Sequence, residues 1–168
     1  DTTGALAVCK NDAAHQSLAA QLAVHSITRR YRAIVHRGFR EDTGTVTGDI
    51  GRNPVDGKKM AVGVKNGKPA VTHYRVLERF GSFTYIECEL ETGRTHQIRA
   101  HMAHIGHPLL GDAVYGPAKC PFPGLQGQCL HAMVLGFIHP STGEYLAVTA
   151  PLPEYFEALL AKLRSRMR

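Results

Sequence analysis

From Glu91 to Gly116 the chain reads ETGRTHQIRAHMAHIGHPLLGDAVYG, and it gathers Arg94, His96 and Arg99 beside a helix signal and a run of turn formers. Ile98, Met102 and Ile105 recur at i, i+4 and i+7, the apolar stripe of an amphipathic helix over Arg94–Ile105 that Gly106 and Pro108 end. At about 100° per residue, Arg99 and His96 project to one side of that stripe near the small Ala103, so both reach a common cleft. A guanidinium placed there holds both oxygens of a carboxylate in fixed geometry and stays charged when buried. Thr92-Gly93 breaks the preceding β-type run, and Thr95 is a candidate helix cap. GHPLLGDAVYG must turn sharply, with Gly93 and Gly111 read as backbone requirements.

The histidines raise a second chemistry. His96, His101, His104 and His107 lie close together, and Cys129-x-His131 follows. On a helix, however, these positions point in different directions, whereas paired ligands are expected at i and i+4, and His107 falls beyond Gly106. No metal site is expected.

The elements that must position this segment are mostly β-like. Gly4–Cys9 is a short apolar run, and Asn11-Asp12 caps a helix with Leu18 and Leu22 at i and i+4. Thr28–Arg37 alternates, with Tyr31, Ala33 and Val35 on one face and Arg30, Arg32 and Ile34 on the other. Val46-Thr47, Met60–Val64, Ala70–Leu77 and Phe83–Leu90 are further strands separated by Asn53-Pro54, Asp56-Gly57 and Asn66-Gly67 turns, a pattern of antiparallel neighbours. Pro117–Gly127 reads as a mobile surface loop, Ala132–Ile138 and Tyr145–Thr149 as strands, and Pro153–Arg168 as a helix with Phe156, Leu159, Leu160 and Leu163 apolar. Strands in consecutive runs with a few helices give an α+β class, and without repeat or linker the whole of 1–168 reads as one domain.

Composition sets the outer bounds. The 168 residues are 43% hydrophobic and carry a formal net charge of +6, a balance that favours a polyanionic partner through counterion release. With neither an apolar stretch long enough to span a membrane nor a leader, a cytoplasmic protein is expected. Cys9, Cys88, Cys120 and Cys129 form no C-x-x-C pair and read as reduced thiols, with Cys9 and Cys88 expected in the core.

The motif GRTHQIRAHMAHIGHPLLGDAVYG resembles motif III of the RluA-type RNA pseudouridine synthases. DTTGALAVCKND, ITRRYRAIV, GKPAVTHYRVL and CLHAMVLGFIHPSTGE agree with the same family in the right order. The resemblance implies a mixed, largely antiparallel sheet with a cleft across it. It also implies an isomerase that breaks the N1–C1′ bond of a uridine in RNA, turns the uracil and rejoins it through C5, with no cofactor and no metal. Arg99 would pair with the catalytic aspartate, and Tyr31 would stack on the flipped base and move a proton at C5. Arg94 and His96 would contact RNA or fix Arg99. The wording is most like the branch acting on large-subunit ribosomal RNA, the implied partner.

The family places its catalytic aspartate three residues before the first Thr of the TTG found here as Thr2-Thr3-Gly4, hence two residues before Asp1. Asp1 is out of register for that role. The expectation is a catalytic domain cut inside the motif at its N-terminal side, inactive alone, in which Thr2, Thr3 and Gly4 shape the loop beside the site. The alternative is a basic RNA-binding module with the same fold and no chemistry.

Overall fold

The computed structural model describes residues 1–167. In chain order the elements are β1 (Thr3–Gly4), α1 (Asp12–Ala23), β2 (Thr28–His36), β3 (Thr43–Thr47), β4 (Ile50–Arg52), β5 (Met60–Val62), β6 (Val71–Arg79), β7 (Phe83–Leu90), α2 (Gln97–His104), β8 (Leu130–Ile138), β9 (Tyr145–Thr149) and α3 (Glu154–Ser165). Arg168, the end of the expected last helix, lies outside the described residues. The class is α+β, as expected.

Seven strands form one sheet in the order β1-β8-β2-β7-β6-β3, with β9 added to β8, and every pairing except the parallel β1·β8 is antiparallel. Period-two alternation divides the core between the two faces. Ala33 and Val35 of β2 pack with Ile86, Cys88, Ile98 and Met102 under α2, while Ile34 packs with Tyr85, Phe156, Leu159 and Leu160 under α3. The short β4–β5 sheet stands apart and sets Ile50, Met60 and Val62 against Ala100 of α2 and Tyr115.

Four expectations need correction. Gly4–Cys9 is not a strand: Ala5 N–H makes the last ladder bond, to Ala132 O at 3.0 Å, because from Val134 onward the same edge of β8 is taken by β9. Leu6 and Val8 are therefore exposed, and Cys9 is only half-buried rather than in the core. The helix expected over Arg94–Ile105 begins at Gln97. Pro117–Gly127 holds no helix or strand, yet it is not wholly a surface loop, because Phe122 is buried in the α3 core with Lys162 and Arg166 over its ring. Finally β4, Ile50–Arg52, had no counterpart in the sequence pattern, being three residues centred on a glycine.

The helices attach in different ways. α3 buries Phe156, Leu159, Leu160 and Leu163, whereas α1 buries no residue. Asn11 Oδ1 caps α1 by accepting Ala14 N–H at 2.9 Å, and Gln21 ties it to Ile138 through both amide atoms, at 2.9 and 2.8 Å. The energetic consequence is direct: Phe156→Ala should cost about 3–5 kcal/mol, and Leu22→Ala about 0.5 kcal/mol or less, read as midpoint shifts in urea denaturation at unchanged slope.

Candidate active site

The cleft is built where β2, the β7–α2 connection and the entry to β8 meet. A cavity of about 430 Å³ is lined by Tyr31, Arg94, His96, Arg99, Asp1 and Gln128, among others. A second, of about 240 Å³, shares Asp1, Arg99 and Gln128 and continues past Asp112 and Lys119. All four residues singled out in the sequence thus border one cavity, although Tyr31 comes from β2, Arg94 and His96 from the segment leading into α2, and Arg99 from α2 itself.

The segment before α2 is held without an ordinary cap. Thr95 does not cap the helix; His96 takes the N-cap position in the left-handed region, at φ 54°, and makes no side-chain cap bond. Gln97 substitutes for one. Its buried amide uses all four hydrogen-bonding positions: Oε1 accepts Thr92 Oγ1–H at 2.8 Å and Arg94 N–H at 3.0 Å, and Nε2 donates to Val71 O at 3.0 Å and Thr72 Oγ1 at 2.9 Å. Thr72 Oγ1–H donates to His101 Nδ1 at 2.9 Å, leaving His101 Nε2–H to donate to Gly48 O at 3.0 Å. Burial pushes the His101 pKa below the ordinary histidine value, against the raising effect of the Gly48 bond, which suits this neutral chain. His101 is therefore a packed polar residue joining α2 to β6 and the β3–β4 turn.

Arg99 carries the strongest interaction at the site. Its Nε donates to Asp112 Oδ2 at 2.7 Å and its Nη2 to Oδ1 at 2.9 Å, a fork on a carboxylate with no exposed side-chain surface. Asp112 Oδ1 also accepts Val114 N–H at 2.9 Å and Tyr115 N–H at 3.0 Å. Burial, the largest influence on this carboxyl, pushes its pKa up, but the Arg99 bonds, the two backbone N–H groups and the Arg99 charge together leave it below the ordinary value. The Arg99 pKa is correspondingly raised, first by its bond to Asp112. Arg99 Nη1 makes no hydrogen bond among the described residues. Gly111 sets up the turn: its φ is 80°, and a Cβ there would strike Gly127 O.

Tyr31 is half-buried against the α2-side core, and burial raises its hydroxyl pKa, with Arg29 opposing. It stays protonated through neutral pH. Arg94 Nε donates to Pro69 O at 2.9 Å. Burial, followed by the Arg99 charge, lowers the His96 pKa. Arg29 lies under the same connection: Nη2 donates to Glu91 O at 3.1 Å, Nη1 occupies the space a Cβ on Gly93 would need, and the buried Nε has no partner. Gly93 is thus a matter of room.

Sequence patterning did not single out Asp112, Gln97, Tyr115 or Arg29 for the site. The signal existed for Asp112, an acid between the two turn glycines Gly111 and Gly116 one helix away from an unpartnered arginine; nothing local marks Gln97 or Arg29.

Residues 1–104 match the RNA pseudouridylate synthase family, so the chain belongs to that family. It is 54% identical over 164 residues to an uncharacterized RNA pseudouridine synthase, YlyB, of Bacillus subtilis, covering 98% of this chain and 53% of the relative. It is 49% identical over 170 residues to ribosomal large subunit pseudouridine synthase D of Zymomonas mobilis, covering 97% of this chain and 53% of that protein. Among solved structures, human RNA pseudouridylate synthase domain containing 1 superposes with a TM-score of 0.72 at 28% identity, over 92% of this chain and 73% of the other. The chain spans about half the length of the curated relatives it matches.

Asp112→Ala should destabilise the protein by about 3–5 kcal/mol at neutral pH by leaving the buried Arg99 charge unpaired. Because the folded carboxyl titrates below its unfolded value, that stability is complete above about pH 4 and is lost as pH falls through the folded pKa. Urea denaturation of wild type and variant at neutral and acid pH should show the gap closing on acidification; a constant gap contradicts the pair's role.

Proposed function

We propose that this chain is the catalytic part of an RNA pseudouridine synthase acting on large-subunit ribosomal RNA, in the cytoplasm and without cofactor or metal, and that 1–168 forms a single domain. The observation that carries the reading is the cavity shared by Tyr31 and Arg99. The reaction needs a carboxylate at the sugar, a cation that keeps that carboxylate ionised in a water-poor pocket, and an aromatic ring to hold the detached base. Tyr31 supplies the ring and a protonated hydroxyl for proton transfer at C5. Arg99, fixed by Asp112 on two of its three nitrogens, has Nη1 left for a second carboxylate. The family motif supplies that second carboxylate two positions ahead of Asp1, and Asp1 itself lines the cavity. Arg94 and His96 are RNA contacts at its rim. A net charge of +6 supports a polyanionic substrate, and no helix among the described residues is long and apolar enough to cross a membrane.

The test uses the full-length gene product. It should form pseudouridine in large-subunit ribosomal RNA without added metal or nucleotide. Arg99→Ala should slow single-turnover conversion by several orders of magnitude, yet weaken RNA binding only modestly at matched salt, since many Lys and Arg residues share the phosphate contacts. A near-normal rate at saturating RNA with greatly weakened affinity would make Arg99 a phosphate contact and the domain a binding module.

A further inference from the structure

Tyr115 touches three parts of the molecule with one phenol. Its Oη accepts Met60 N–H from β5 at 2.8 Å, which leaves the phenol proton for His96 Nδ1, 3.0 Å away. The His96 and Tyr115 rings cross at 86° with centroids 5.7 Å apart, and Arg99 Cζ stands 5.1 Å from the centre of the Tyr115 ring. His96 Nε2 makes no hydrogen bond among the described residues, and His96 lines the cleft.

We propose that Tyr115 is a positioning residue that locks His96 in its Nε2–H form, so that His96 offers one neutral donor to a carbonyl oxygen of the pyrimidine base bound in the cleft. Which imidazole nitrogen carries the proton is set by the bond the other makes, and here Nδ1 is occupied as an acceptor. The surroundings keep the ring uncharged: burial acts first and the Arg99 charge second, with Asp112 opposing, and Arg94, Asp1, Tyr31 and Tyr115 are the other titratable groups around it. A neutral donor matches a neutral carbonyl, whereas a phosphate is better served by Arg94. His96 holds this contact from a left-handed backbone, at φ 54°, a conformation unfavourable for a residue with a side chain. The same contact ties the β4–β5 hairpin to the cleft through Met60.

This inference rests on the proposed base-binding site, but its first test does not need activity. In full-length protein labelled with 15N-histidine, the ring shifts of wild-type His96 should report the Nε2–H tautomer at about pH 8, above the ordinary histidine range; an Nδ1–H tautomer overturns the proposal. Tyr115→Phe keeps the ring over Arg99 and removes both hydrogen bonds. It should mix the two tautomers and lower the single-turnover rate at saturating RNA about tenfold, with RNA affinity within about twofold. An unchanged tautomer in that variant also overturns it. Should Tyr115→Phe not fold, the wild-type spectrum decides alone. Should the full-length protein form no pseudouridine while His96 shows the Nε2–H tautomer, the functional reading falls and the lock stands.

Discussion

The fork between Arg99 and Asp112 is the interaction on which the cleft depends. A guanidinium buried this far is tolerable only with its charge matched, and Asp112 matches it while also gathering the Val114 and Tyr115 amides, so one carboxylate fixes both the arginine and the turn that presents Tyr115. The turn in turn requires Gly111, whose neighbour across the gap is Gly127. A charge pair, a glycine and a phenol thus form one rigid assembly behind the cavity wall.

On the other side of α2 the support is neutral. The chain from Thr92 through Gln97 and Thr72 to His101 and Gly48 is fully hydrogen-bonded, with its four side chains buried, and it braces the helix start against β6. Such networks lose more from a missing member than from a poor one, because each orphaned group remains buried. The two supports divide the labour: charge orients the guanidinium, and neutral bonds hold the backbone that carries it.

Much of the fold was legible because alternation is local. Phe83–Leu90 and Tyr145–Thr149 have the bounds their patterns indicated, and Tyr31, Ala33 and Val35 face away from Ile34 as their spacing requires. Competition for a sheet edge is not local, which is why Gly4–Cys9 reads as a strand but loses its partner to β9. Nor is the burial of Phe122, which depends on α3 arriving over the loop. At the site, the spacing of His96 and Arg99 on one side of a helix indicated a common cleft, and family resemblance brought in Tyr31. Asp112 and Tyr115 were hidden because their partners lie across a sharp turn, and Arg29 because its neighbour is a missing side chain at Gly93.

The parallel pairing of β1 with β8 has a bearing on how the protein is made. Thr3 pairs with His131 and Gly4 with Ala132, so the strand that carries Asp1 into the cleft wall is synthesised long before its partner exists. At ordinary translation speeds the wait is on the order of ten seconds, during which β2, β6 and β7, whose partners are nearer in the chain, can already pair. The N-terminal wall of the cleft is therefore closed only once β8 has been made, and Leu6 and Val8 beside it remain exposed apolar surface even then.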